Sequence, residues 1–158
     1  MRLALHTDYA LRTLMFLAAR EDRASIAEIA AFFRISKDHL AKVAQSLVRE
    51  GFVRSVRGIG GGLMLARPAR SISLADLIER FEGGMHLLDC VKSDDVCVIQ
   101  PGCRLRGILA EAEQVQLDYL RRFTLADIVE AGADLVQLTL PARPTRQSKP
   151  TRSRQTQR

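Results

Sequence analysis

Three short amphipathic helices in residues 7–51, the last two joined by a brief turn, are the feature that most restricts the fold of this chain. The first is expected from about Thr7, a favourable N-cap residue, to Ala19. Its apolar residues recur at the i, i+3, i+4, i+7 spacing that gives a helix one buried stripe: Leu11, Leu14, Met15 and Ala18.

The next two helices carry clear start and stop signals. Ser25 is expected to begin the second helix, and Glu28, three residues later, completes a capping box. Ser36 is expected to cap the third helix, and Gly51 is placed to end it. Because only Arg34–Ile35 lies between them, the two helices form a helix-turn-helix signature.

A glycine-rich stretch follows the third helix. Phe52–Val56 and Leu63–Ala66 have the character of two short strands around the tip RGIGGG, residues 57–62, which predicts a β-hairpin. A phosphate-binding loop is a poor alternative, because no Gly-Lys-Ser/Thr follows and the next residues resemble a strand. A hairpin in this position is the wing of a winged helix.

A long helix is predicted from Cys103 to Phe123, and Thr124 is expected to cap a short one over Leu125–Ala131. One face of the long helix has the 4, 3, 4 spacing of a short coiled coil: Ile108, Ala112, Val115 and Tyr119. We expect this helix to form a homodimer, because the rest of the chain is too small to bury it. A helix packed wholly into its own core is the alternative.

The predicted fold class is therefore mainly α with a small β wing, a winged helix-turn-helix plus a long C-terminal dimerisation helix. The segments are a DNA-binding domain (1–82), a cysteine loop (83–103), a dimerisation helix and C-terminal segment (104–140) and a basic tail (141–158). The tail is expected to be disordered, because it has no apolar residue larger than alanine or proline.

Charge is distributed unevenly along the chain. Residues 1–70 carry 12 Lys/Arg against 6 Asp/Glu, residues 71–140 carry 6 against 12, and residues 141–158 carry 6 against none. A basic region that coincides with a helix-turn-helix pattern favours double-stranded DNA as the partner, although charge is common on any solvated surface. The candidate DNA-contacting residues lie on the third helix and the wing: Ser36, Lys37, His39, Lys42, Arg54, Arg57 and Gly60.

All three cysteines of the chain lie in one short stretch, with the spacing Cys90-x₆-Cys97-x₅-Cys103. Paired zinc knuckles have closer spacings, and a loop of this width fits an iron–sulfur cluster, which prefers thiolate ligands. Zinc, or unliganded and redox-active thiols, remain alternatives. A fourth ligand has to come from another residue type, and the candidates are His6, Asp8, His86, Asp89, Asp94 and Asp95.

The sequence offers little support for other classes of protein. Its three histidines are scattered and no nucleophile–base arrangement is evident, so an enzyme is not expected. The longest apolar run of the first helix, residues 14–19, is too short to span a bilayer. With no signal-peptide pattern at the N-terminus, a cytoplasmic location with reduced thiols is expected.

Several segments of residues 1–131 together resemble the Rrf family of winged-helix iron–sulfur transcriptional regulators. They are MRLALHTDYALRTLMFLAA, SIAEIAAFFRISKDHLAKV, VRGIGGGLMLARP, SISLADLIERFEGG, the three-cysteine loop and YLRRFTLADIVE. The likeness is greatest to the nitric-oxide-sensing repressors of that family. It implies a homodimer that binds partly palindromic operators and carries one [4Fe-4S] or [2Fe-2S] cluster per subunit, with [4Fe-4S] favoured.

The resemblance also implies roles for individual residues. Cys90, Cys97 and Cys103 match the cluster thiolates, and Asp8 matches a carboxylate ligand supplied by the partner subunit. Ser36 and Arg57 match positions that contact DNA. Another branch of the family uses a histidine three positions after the third cysteine, where this chain has Arg106. The wider first cysteine gap resembles an iron-sensing branch, so iron or redox sensing is the alternative to nitric oxide.

Overall fold

The computed structural model describes residues 3–58, 60–84 and 86–129. Its elements, in chain order, are α1 (Leu5–Arg20), α2 (Ile26–Phe33), α3 (Lys37–Arg49), β1 (Val53–Val56), β2 (Gly62–Leu65), α4 (Leu74–Glu82), α5 (Asp89–Lys92) and α6 (Arg104–Arg121). Single 3₁₀ turns cover Ala69–Ser71 and Gln100–Gly102. Residues 125–129 are also helical, and the predicted end of that helix lies outside the described residues, as does the basic tail. The mainly α fold class with a small wing is confirmed.

The first helix begins earlier than the sequence predicts. Its N-cap is Ala4, whose N–H donates to Glu82 Oε1 at 2.8 Å, so that the end of α4 holds the start of α1. Thr7 is fully buried inside the first turns and is not the cap. The predicted start at Thr7 was wrong because the α1 N-cap lies three residues earlier, where a carboxylate of the distant α4 holds the N-cap N–H and no side chain caps the first turn.

The helix-turn-helix follows the sequence signals closely. The Glu28 N–H donates to Ser25 Oγ at 3.2 Å and the Ser25 N–H donates to Glu28 Oε2 at 2.7 Å, which confirms the capping box. Ser36 is the N-cap of α3 by position, but its side chain accepts no capping hydrogen bond. Gly51, with φ of 74°, comes directly after the α3 C-cap.

The wing is a two-stranded antiparallel hairpin whose register pairs Val53 with Leu65 and Val56 with Gly62. It is tied to the loop before α2, because Ala24 and Leu63 exchange two backbone hydrogen bonds of 2.9 and 2.8 Å. A Cβ on Gly62 would lie 2.5 Å from the Ala24 carbonyl oxygen, so this close approach requires glycine.

The main core lies beneath α1, α2, α3 and the wing, and its largest fully buried side chains include Leu14, Phe16, Leu40 and Phe52. A smaller cluster of Ala75, Ile78 and Leu117 packs α4 against α6. The long helix therefore rests on the winged head through α4. No helix within the described ranges is long and apolar enough to cross a membrane.

Candidate nucleic-acid interface and metal centre

The third helix separates a buried face from a polar one. Leu40, Val43 and Leu47 are buried in the core, which leaves the opposite face to solvent. The residues predicted to contact DNA on this element are all exposed: Ser36, Lys37, His39 and Lys42. Since the Ser36 hydroxyl is not used as a cap, it is available to an external partner such as a phosphate.

The wing carries the remaining candidates. Arg54 on β1, Arg57 just beyond it and Gly60 at the tip are exposed. Gly58 and Gly60 have φ of 101° and 75°, values that side-chain-bearing residues rarely adopt, so the tip has a glycine backbone with little steric cover.

The cations of this surface differ in their ion pairing from several other cations of the head. Within the described residues, Lys37, Lys42, Arg54 and Arg57 form no ion pair, whereas Arg12, Arg20, Arg67 and Arg80 each pair with a carboxylate. The hydrogen bond from Arg80, aided by Arg67, lowers the pKa of Asp76 below its ordinary value. Unpaired cations on exposed elements suit a polyanion such as DNA.

The cysteine stretch is more ordered than the loop that the sequence predicts. Cys90 lies in the short helix α5, Cys97 is exposed, and Cys103 is the N-cap of α6. All three are free thiols. They occupy the segment between the winged head and the long helix.

A glutamine that the sequence reasoning missed holds this loop together. Gln100 is only 7% exposed, and its Nε2 donates to the carbonyl oxygens of Cys90 and Ser93 at 3.0 and 2.7 Å. Its Oε1 accepts from the Val96 N–H at 3.0 Å. One side chain thus bonds to the backbone at three points along the stretch from Cys90 to Cys97. No motif marks this glutamine, and its one sequence signal is its place before the turn-forming pair Pro101 and Gly102.

The loop is also fastened to the long helix at two points. Arg106 Nη2 lies 2.8 Å from Asp94 Oδ1. Glu113, which is 7% exposed, accepts from the Leu87 N–H and lies 3.3 Å from His86 Nδ1. Two of the candidate fourth ligands therefore already contact other side chains: Asp94 is ion-paired with Arg106, and the His86 ring lies against the Glu113 carboxylate.

The predicted ligands do not form a site for a single metal ion within the described part of one subunit. In the described part of the chain, no three His, Cys, Asp or Glu side chains lie close enough to share a metal ion. Asp8 lies on α1, and both of its carboxylate oxygens accept from Arg12 Nε at 2.9 Å. The three thiols share a loop, and Asp8 belongs to a different element.

The predicted dimerisation seam of α6 is open to solvent in the single chain. Ile108, Val115 and Tyr119 are 60, 63 and 55% exposed, and Leu105, which precedes them, is 55% exposed. Leu117, on the other side of the helix, is buried against α4. The helix therefore has one apolar face covered by its own subunit and a second that is uncovered.

The chain is similar to known transcriptional regulators in sequence and in structure. Residues 3–131 match the model of the Rrf2 family, described as iron-dependent transcriptional regulators. Among solved structures, B. subtilis CymR (YrzC), a global cysteine regulator, is 22% identical, with a TM-score of 0.68 over 83% of this chain and 98% of that one. T. potens IscR is 25% identical, with a TM-score of 0.66 over 85% and 90%. The oxidized form of Staphylococcus aureus CymR is 25% identical, with a TM-score of 0.64 over 82% and 97%.

The family match covers the winged head, the cysteine loop and the long helix, and the solved structures share this architecture. The members of the family regulate transcription and are not enzymes. The chain belongs to the Rrf2 family of transcriptional regulators.

Proposed function

We propose that this protein is a homodimeric, cytoplasmic repressor whose binding to a DNA operator is controlled by an iron–sulfur cluster and lost on reaction with nitric oxide. The observation that carries the proposal is the placement of three free thiols on one loop between the DNA-binding head and the uncovered helix. A structural change in that loop would therefore act on the DNA-binding head and on the long helix together. The repressor type is that of the nitric-oxide-sensing NsrR proteins.

The donor set suits an iron–sulfur cluster in its chemistry. Cys90, Cys97 and Cys103 offer three thiols, and thiolates are the ligands such clusters prefer. When bound, the cluster supplies iron atoms that react with nitric oxide. The described side chains form no site for a single metal ion, whereas a cluster is a larger object with more widely spaced ligands. The bonds of Gln100 and Arg106 limit how far the loop can move around it.

Asp8 is proposed as the fourth ligand, supplied by the partner subunit. Its carboxylate pairs with Arg12 on its own helix, so ligation would compete with an exposed i, i+4 ion pair that contributes only about 0.3–0.5 kcal/mol. A carboxylate is also a weaker ligand for iron than a thiolate is. Asp8 would therefore be the ligand most readily released.

A route from Asp8 to the recognition helix exists in the packing of α1. The side chains of Leu5 and Tyr9, which flank Asp8, line a groove together with His39 and Lys42 of α3. Release of Asp8 would let α1 shift and would move α3 relative to its half-site. Coupling between sites of this kind is typically about 1–3 kcal/mol.

Iron or redox sensing by the same loop is the second candidate. The family description is iron-dependent, and the exposed Cys97 is accessible to oxidants. If the protein senses iron, iron depletion would relieve repression. If it senses redox state through its thiols, the purified protein would be colourless and its DNA binding would respond to thiol oxidation.

The test replaces each ligand in turn. Cys90→Ser, Cys97→Ser and Cys103→Ser proteins, purified without oxygen, should lose iron and acid-labile sulfide. Asp8→Ala should keep a cluster with an altered visible spectrum and a changed nitric-oxide response. Asp38→Ala, a first-turn carboxylate of α3, is the control and should match wild type in both. An Asp8→Ala protein with the wild-type spectrum and response would exclude the cross-subunit ligand.

A further inference from the structure

We propose that Arg23 is a third cation of the wing and contacts a DNA phosphate beside the wing tip. The inference rests on the proposed DNA-binding role of the wing. Arg23 lies outside the helix-turn-helix and the hairpin in sequence, so neither pattern points to it.

The backbone pairing of Ala24, the next residue, places Arg23 beside the wing. Ala24 and Leu63 exchange two backbone hydrogen bonds, so the loop before α2 runs beside β2 as a third, one-residue strand. This pairing fixes the backbone position of Arg23 next to the hairpin.

The side chain then reaches the tip itself. A Cβ built on Gly60 would lie 3.8 Å from Arg23 Nη2, so the guanidinium lies on the side of the tip that such a Cβ would face. Gly60 and Arg57 are exposed there. The guanidinium is therefore within the footprint that the wing would make on a DNA backbone.

Arg23 also has no ion-pair partner among the described residues, whereas Arg20, three residues earlier, pairs with Glu28 at 3.2 Å. The adjacent Asp22 carboxylate accepts from the backbone N–H of Arg23. Arg23 is half-buried, and its guanidinium forms no ion pair within the described ranges. Beside a glycine tip it is suited to a phosphate oxygen, which accepts charge-assisted hydrogen bonds from arginine.

The experiment compares Arg23→Gln with wild type in binding to a fluorescein-labelled duplex that the wild-type dimer selects from a randomised 30-base-pair pool. Affinity should fall about tenfold, and the slope of log affinity against log salt should become less steep by about 0.9 for each Arg23 that reaches a phosphate. Discrimination against a scrambled duplex should stay at the wild-type ratio, because a phosphate contact reads no sequence.

Arg70→Gln is the charge-matched control, since Arg70 is exposed and follows the end of β2 opposite the tip. It should leave both affinity and slope near wild type. A merely structural role for Arg23 would lower the melting temperature or the affinity without changing the salt slope, and an unchanged slope in Arg23→Gln would overturn the proposal. Failure of the wild-type protein to bind any duplex would instead overturn the DNA-binding function itself.

Discussion

At the scale of single residues, the cysteine loop depends on the donor hydrogens of Gln100. Glu has the same shape and keeps the acceptor for the Val96 N–H, but an ionised carboxylate cannot donate to the Cys90 and Ser93 carbonyls. Gln100→Glu should therefore open the loop, because two partly buried acceptors lose their partner at about 1–3 kcal/mol each.

The measurement is the rate of maleimide labelling at Cys90 in the cluster-free protein, followed by peptide mass spectrometry. Gln100→Glu should raise it about tenfold or more. Gln114→Glu adds the same charge on an exposed part of α6 and should leave it unchanged. Equal labelling in all three proteins would show that Gln100 does not hold the loop.

The capping box gives a pH-dependent prediction. The backbone hydrogen bond from Ser25 lowers the pKa of Glu28 below its ordinary 4.5. A lowered pKa in the folded state means that this stabilisation is fully present above about pH 4.5 and is lost as pH falls through the folded-state value.

Glu28→Ala should accordingly lower the free energy of unfolding at pH 7 by about 0.5–1 kcal/mol, a value reduced for the exposed side chain. Urea denaturation at a series of pH values should show this difference shrinking as the pH falls below 4.5. A difference that is constant with pH would mean that the carboxylate charge is not involved.

At the scale of the elements, the uncovered apolar face of α6 predicts that the protein forms a homodimer. Val115 is 63% exposed in the single chain, so Val115→Glu would place an unpaired charge in a dimer interface at a cost of about 2–3 kcal/mol. The dimer dissociation constant, measured by sedimentation, should rise by about 30-fold or more. Gln114→Glu is again the control, and a Val115→Glu protein that dimerises like wild type would exclude this face.

Elements with local signals were predictable from sequence, and those fixed by distant contacts were not. The capping box at Ser25, the apolar stripes and the glycine-bounded hairpin each act within a few residues, so α2, α3 and the wing were predicted to within one or two residues. The start of α1 depends on Glu82, which is distant in sequence. The order of the cysteine loop depends on a buried glutamine and on Glu113 of another element, which no spacing rule reveals.

At the scale of the whole molecule, both ends of the chain are basic and the middle is acidic. The last 18 residues, 141–158, carry six Lys/Arg and no Asp/Glu, and they should add sequence-independent affinity for DNA. Truncation after Leu140 should flatten the salt dependence of DNA binding and leave operator preference intact. An unchanged slope would assign the tail no part in binding.

Control of DNA binding by the cluster is tested most directly by one titration that follows both. The protein is purified without oxygen, and its visible spectrum is recorded during stepwise addition of nitric oxide while binding to the selected duplex is followed in parallel. We expect a brown chromophore that bleaches in step with release of the DNA. A chromophore and DNA affinity that are both indifferent to nitric oxide would contradict the claim in favour of iron sensing, and freshly isolated protein without a chromophore would contradict it in favour of a thiol or zinc switch.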